Sequence, residues 1–261
     1  MGRARPVGRR WFLSTVGRGA VGVALLGVAA CSDDGSAGEA GGGTTPGGDG
    51  GGTGEQSGGT SGGSPGTLAW SRVDLGFVSA YVLVRGNEAA VVDTGVGGSA
   101  DEIGAVLDEA GPGWAGVRHV VLTHKHPDHA GSISDVLAEA TRAKGYVGTA
   151  DLSEVDASRP LTGLDDGAVV FGLQVVGTPG HTAGHIAVFE PETRLLVAGD
   201  ALNNEDSLAG SNPQFTEDET AANASVRKLA ALRPRTILVG HGDPVRSSTA
   251  AQLQQLAASL S

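Results

Sequence analysis

The sequence predicts an α+β fold, in a pattern compatible with two sheets packed together and helices outside. Three observations carry this reading. Strand-like and helix-like segments alternate from residue 77 onward. A two-residue Gly86-Asn87 loop joins two strand-like runs, and such a hairpin excludes a purely parallel sheet. Finally, apolar strands end repeatedly on a polar residue, which suits strand ends that face one edge.

Taken in order, Phe77 to Val84 and Ala89 to Val92 form the hairpin. Ser99-Ala-Asp-Glu102 has the pattern of a capping box, and Ile103, Val106, Leu107 and Ala110 follow at helical spacing until Gly111-Pro112 stops the helix. His119 to Leu122 is a short buried strand, and Ser132 to Lys144 a second helix. Strands follow at Leu173–Val176, Ile186–Phe189, Leu195–Ala198 and Ile237–Val239. Thr216-Glu-Asp-Glu219 is another capping-box pattern, opening a helix with Val226, Leu229 and Ala230 on one face. Leu253, Leu256, Ala257 and Leu260 mark a terminal amphipathic helix.

One grammar repeats along these strands: Val91-Val92-Asp93, Leu122-Thr-His124, Val176-Gly-Thr-Pro-Gly-His181, Val197-Ala-Gly-Asp200 and Val239-Gly-His241. Three of the seven histidines fall inside six residues, His124-Lys-His126-Pro-Asp128-His129. Neutral imidazole is the commonest protein metal ligand, and carboxylates balance a cation's charge, so the chemistry is expected here.

The flanks differ in composition. Arg3, Arg5, Arg9 and Arg10 precede a mildly apolar stretch, Gly19 to Ala30, that is too short to span a bilayer. Arg9-Arg10-Trp11-Phe12-Leu13 resembles a twin-arginine export signal, and Val28-Ala29-Ala30-Cys31 resembles a bacterial lipobox. Residues 1–30 are therefore expected to be a signal peptide, and Cys31 the lipidated anchor on the outer face of the bacterial membrane. Cys31 is the sole cysteine, which excludes an intramolecular disulfide, a Cys-rich metal site and a thiolate nucleophile in the domain.

Residues 32–67 carry 16 glycines in 36 positions with almost nothing apolar. Residues 31–67 accordingly read as a flexible linker with a reach of roughly 30–36 Å. Residues 68–261 are expected to form one catalytic domain with 13 Lys+Arg against 24 Asp+Glu, acidic like the whole chain at −11. Without a basic stripe, nucleic acid is a poor partner. Nothing in the sequence specifies an oligomeric state.

HxHxDH, TPGHTAGH, GD and GHG in this order resemble the metallo-β-lactamase superfamily, over essentially all of residues 70–246. The resemblance implies a four-layer αββα sandwich of two mixed sheets flanked by helices. It assigns His124, His126 and His181 to one metal and Asp128, His129 and His241 to the second, with Asp200 bridging both. Two Zn2+ are the implied cofactor, and iron or manganese also suit these donors. Five imidazoles and two carboxylates leave two divalent cations with a net charge of about +2. Such a pair acidifies water and stabilises attacking and leaving oxygens. Asp128 and Asp200 are the implied catalytic carboxylates. His185 reads as supporting rather than ligating, Asp93 as a brace for the site loops, His119 as a satisfied strand histidine and Lys125 as solvent-facing.

Asp200 discriminates within the superfamily, since β-lactamases proper generally lack it while glyoxalase II-like thioesterases and lactonases have it. Twenty residues follow His241, one helix's worth, where a glyoxalase II has a helical domain that holds glutathione. The polar segment Ala201 to Phe215 is expected to line the cleft, with Asn203, Asn204, Asn212 and Gln214 as amide donors. The leading expectation is a lipid-anchored dizinc hydrolase of a small ester, lactone or thioester, acting through metal-activated hydroxide on a small carbonyl substrate. The alternatives are a β-lactam hydrolase, a mononuclear iron sulfur dioxygenase using only His124, His181 and Asp200, and a metal-containing binding lipoprotein without catalysis.

Overall fold

The computed structural model describes residues 66–260. The expected signal peptide, Cys31 and all but the end of the 31–67 linker lie outside the described residues.

Strands β1 (Ala69–Asp74), β2 (Ser79–Arg85) and β3 (Glu88–Val92) open the domain. Helix α1 (Ala100–Ala110), the single turn α2 (Gly113–Gly116) and β4 (Val117–Val121) follow. Next come the turn α3 (Pro127–Ala130), α4 (Ile133–Glu139), β5 (Lys144–Gly148), β6 (Leu161–Leu164), β7 (Val169–Val170), β8 (Leu173–Gly177) and β9 (Ile186–Glu190). The chain continues through β10 (Leu195–Gly199), β11 (Leu202–Asn203), β12 (Ala209–Gly210), α5 (Glu219–Ala231), β13 (Thr236–Val239) and α6 (Thr249–Ser259).

The first large sheet runs β1-β2-β3-β4-β5-β6 and the second β13-β10-β9-β8-β7. Both are mixed: β1 to β3 pair antiparallel and β3 to β6 parallel, while β13 is parallel to β10 and the remaining pairs are antiparallel. The hairpin has the expected register, Arg85 opposite Glu88, with Gly86 at φ 59 as the first central residue of the turn.

Three apolar interfaces make this a four-layer sandwich. Ile103 and Leu107 of α1 and Val136 and Leu137 of α4 pack on one face of the first sheet with Val82, Val91 and Val120. Tyr81, Leu83, Val92 and Val121 meet Val175, Val188 and Val197 between the sheets. Val226 and Leu229 of α5 and Leu253 of α6 cover the outer face of the second sheet over Leu196 and Ile237. Every residue of β9 and β10 is buried, because that sheet is covered on both faces. Among the described residues no helix is long and apolar enough to cross a membrane.

Several local expectations need correction. Ser99 is the first cap of α1, but its hydroxyl donates to the Val96 carbonyl and does not cap. α5 is capped by Asp218, which accepts from Ala221 N at 3.0 Å, and not by Thr216, whose hydroxyl is spent on the Asn212 carbonyl. The second helix ends at Glu139, well short of Lys144, because Lys144 already pairs in β5 beside His119. Strands β1, β5, β6, β7, β11 and β12 have no counterpart in the expected set.

A buried ion pair ties the two sheets at their far side. Arg85 at the end of β2 donates to Glu190 of β9 at 3.0 Å, and Glu190, 2 % exposed, also accepts from the Thr193 amide at 2.6 Å. Burial pushes its pKa up, but the Thr193 hydroxyl and amide and then Arg85 outweigh it and hold the carboxyl below its usual value. A depressed carboxylate contributes stability above its unfolded pKa, and loses it as pH falls through the lower folded value. Glu190→Gln is expected to lower unfolding free energy by about 3 kcal/mol at pH 7. That deficit is expected to shrink as pH falls below about 4.5, as checked by denaturant unfolding at several pH values.

Candidate metal centre

Asp93, His124, His181, Asp200 and His241 all lie one to four residues past the C-terminal ends of β3, β4, β8, β10 and β13. The two packed sheets thereby bring them to one edge. His126, Asp128 and His129 arrive on the loop and turn after β4, where His126 caps α3 and Pro127 takes its first position.

All seven expected residues converge. Donor atoms of His124, His126 and His181 lie within 4.8 Å of one another, and so do those of Asp128, His129 and His241, and of His124, His129 and Asp200. His126 Nδ1 sits 3.1 Å from His124 Nε2 and 2.9 Å from His181 Nε2. Asp200 stands between the two trios: its Oδ2 is 3.4 Å from His181 Nε2 and 3.2 Å from His241 Nε2, and its Oδ1 is 3.2 Å from His129 Nε2. That last approach is off the line of a hydrogen bond, so Asp200 Oδ1 is buried without a hydrogen-bond partner among the described residues. An orphaned anionic oxygen facing convergent imidazole nitrogens fits a cation. Gly240 is required here, since a Cβ on it would come 2.2 Å from Asp200 Oδ1 and 2.6 Å from His129 Cε1.

Four of the five imidazoles are oriented by the nitrogen that faces away from the cluster. His129 Nδ1 pairs with Asp93 at 2.9 Å, and Asp93 also accepts from the Thr123 amide at 2.7 Å. Asp93 adopts φ 62, uncommon outside glycine but tolerated by Asp, to turn back into the site. His241 Nδ1 donates to the Phe77 carbonyl at 2.7 Å, which leaves Nε2 facing the cleft. His124 Nδ1 meets the Thr123 hydroxyl at 3.0 Å and His181 Nδ1 the Ser211 hydroxyl at 2.9 Å.

The electrostatics divide these histidines. Burial holds His124 neutral, pushes His181 down to about 4 and His185 to about 3. Burial opposes charge on His129 as well, but Asp200 and Asp93 outweigh it and raise its pKa well above the usual value. Hydrogen bonding of its N–H to the Asp128 and Asp200 carboxylates raises His241 to about 10. In the metal-free chain the two carboxylates therefore keep protons on His129 and His241, which an entering cation must displace.

His185 takes no part in the cluster. Its Nδ1 pairs with the Thr178 hydroxyl at 2.7 Å and its Nε2 accepts from the Asp200 amide at 3.1 Å, so both nitrogens are occupied holding the β10 end. Asp93 braces the loops as expected. Two other expectations are overturned. Lys125 is not simply solvent-facing: its side chain is 15 % exposed, and its ammonium bonds Glu154 at 2.7 Å and Glu217 at 2.9 Å, clamping two loops. His119 is not a satisfied histidine: it packs between Tyr146 and Phe171, and its buried Nδ1 has no hydrogen-bond partner among the described residues.

The cluster opens into a cleft of about 430 Å3. The segment 201–215 covers it as expected, with Asn203 and Asn212 in its lining, while three of its amide side chains also bond nearby backbone. Asn203 donates to the Gly210 carbonyl, Asn204 to the Asp243 carbonyl, and Asn212 accepts from the Gln214 amide. Residues without a sequence signal complete the site. Buried Asp151 accepts from the Lys125 amide at 3.1 Å, the Thr182 hydroxyl at 2.6 Å and the Gly184 amide at 2.7 Å, locking the His181 loop onto the His124 loop.

The family model of the metallo-beta-lactamase superfamily matches residues 73–241, more than half of the chain. The chain belongs to that superfamily. It is 32 % identical to the "Probable metallo-hydrolase YflN" of Bacillus subtilis, over 59 % of this chain and 75 % of that one. It is 31 % identical to the hydroxyacylglutathione hydrolase of Cereibacter sphaeroides, over 52 % of this chain and 55 % of that one. Among solved structures it resembles the di-iron-bound form of TTHA1623, with 26 % identity and a TM-score of 0.57 over 70 % of this chain and 93 % of that one. Family and relatives together place this member of the superfamily in the class of metal-dependent hydrolases.

Asp151→Ala strands three donors, two of them buried. It is expected to lower the unfolding free energy of the metal-free protein by about 3 kcal/mol or more, measured by chemical denaturation.

Proposed function

We propose that this chain is a dinuclear zinc hydrolase of a small ester, lactone or thioester. The observation that carries this reading is the position of Asp200, a buried carboxylate within 3.4 Å of nitrogens from both histidine trios. His124, His126 and His181 would hold one ion, Asp128, His129 and His241 the other, and Asp200 both. Bound there, two divalent cations supply an acidified water and a Lewis acid for the carbonyl oxygen.

The chain's own residues do the rest. His129, His124, His181 and His241 are oriented by Asp93, Thr123, Ser211 and the Phe77 carbonyl, so most of the site is assembled before substrate enters. Asp128 faces the cleft with one oxygen 3.3 Å from His241 Nε2 and orients a water for attack. Its pKa lies below the usual carboxylate value: burial opposes ionisation, but the His241 hydrogen bond and the charge of His129 outweigh it. A relative named for hydroxyacylglutathione hydrolysis supports an activated carbonyl as the target. The di-iron-bound neighbour favours a second reading of the metal, iron on the same donors.

The test is a metal count on the purified protein beside assays of a lactone, a thioester, a β-lactam and a phosphodiester. Two zincs per chain and turnover of the lactone or thioester are expected. Asp200→Asn is expected to lower kcat/KM more than about 100-fold. A single iron with oxygen uptake, or ligand binding without turnover, would overturn this function.

We also propose that the chain is exported through the Arg9-Arg10 signal and anchored at Cys31, on the order of the arginine pair, apolar run and small-small-Cys in the sequence. Wild-type protein is expected in the membrane fraction with a lipid-modified Cys31 by mass spectrometry. Cys31→Ala is expected in the soluble exported fraction, and an unmodified Cys31 in the wild type would contradict the anchor.

A further inference from the structure

The metal cluster accounts for one wall of the cleft and leaves the other unexplained. Only three large apolar side chains are strongly exposed among the described residues, Phe77 at 62 %, Phe215 at 62 % and Val169 at 67 %. Two of the three, Phe77 and Phe215, line this one cleft.

Both rings are held in place by their backbones. Phe77 sits in the loop between β1 and β2, its carbonyl bound to His241 Nδ1 and its ring stacked on the His241 imidazole at 6.2 Å and 17°. Phe215 ends a tight turn fixed by Asn212, which accepts from the Gln214 amide through its side chain and from the Thr216 hydroxyl through its carbonyl. Two phenyl rings fixed in water are costly, and a ligand that covers them recovers that free energy.

Charge narrows the ligand further. Among the described residues the lining contains no Lys or Arg, and Glu205 adds a third carboxylate to those of Asp128 and Asp200. Lys125, next to His126 in the chain, is committed to Glu154 and Glu217. A substrate whose arm bears a carboxylate would find no cationic side chain to receive it and would face Glu205.

We propose that Phe77 and Phe215 form a subsite for an apolar acyl or aryl arm, so that the substrate is an uncharged-arm ester, lactone or thioester. This rests on the hydrolase reading above and names its substrate class. Phe77 and Phe215 act as specificity residues and touch the arm, not the reacting carbonyl.

The experiment uses the metal-loaded protein and a thioester series with acyl arms from acetyl to octanoyl, plus an octanoyl arm ending in a carboxylate. In parallel, calorimetry measures binding of heptyl methyl ketone, which cannot be hydrolysed. In the wild type, kcat/KM is expected to rise about two- to fourfold per methylene and to fall at least tenfold when the arm ends in a carboxylate. Phe77→Ala and Phe215→Ala are each expected to cut the octanoyl-to-acetyl ratio about tenfold through KM, and to weaken the ketone comparably. Phe77→Leu and Phe215→Leu are expected to recover most of both. Turnover that is flat with arm length, or equal use of the carboxylate arm, would overturn the subsite and leave the hydrolase standing. Ketone binding unchanged in both Ala variants would overturn the subsite as well. Ketone binding that depends on the phenylalanines, with no thioester or lactone hydrolysed, would uphold the subsite and overturn the hydrolase.

Discussion

A carboxylate buried among imidazoles organises this molecule. Asp200 follows β10 with Oδ1 lacking a hydrogen-bond partner among the described residues, and a buried anion in that state is costly unless positive charge faces it. His129 and His241 supply that charge as protons in the metal-free chain, and the proposed pair of cations would supply it in their place. The surrounding structure serves this one requirement. Gly240 leaves room for the carboxylate, His185 receives its amide, and Asp93 and Asp151 fix the loops that deliver the histidines.

Convergence comes from layer architecture. Two sheets packed face to face end their strands on a shared edge, so residues separated by more than a hundred positions, such as His129 and His241, meet without any local contact between them. The same edge explains why the site is made by loops: a loop past a strand end can turn its polar groups toward a cleft, whereas the strand interior is fully buried.

Much of this was legible in the sequence because apolar strands signal burial and the candidate ligands cluster within a few residues after strand ends. The seven donors, the hairpin at Gly86-Asn87 and the supporting role of His185 needed only short-range pattern and the family resemblance. What escaped had no short-range signal. Asp151 is one of many acidic residues in the chain, and its three partners lie 26, 31 and 33 positions away. β5 is a Lys-Gly-Tyr-Val-Gly run that follows Ala138, Ala140 and Ala143, and pairing with β4 overrides the helical preference that carried the expected helix to Lys144. β1 is an edge strand with only half-buried positions along most of its length, so its pattern is weak. The clamp at Lys125 was invisible because a lone lysine beside two ligands reads as surface until Glu154 and Glu217 are folded against it.

The central claim is that Asp200 joins two cation sites built from these seven side chains. An anomalous-difference map from crystals of the metal-loaded protein, collected at the absorption edge of the bound metal, tests it directly. Two peaks roughly 3.5–4 Å apart are predicted. One should lie against His124, His126 and His181, the other against Asp128, His129 and His241, with Asp200 touching both. A single peak away from Asp200, or two peaks that leave its carboxylate without a metal, would contradict the claim.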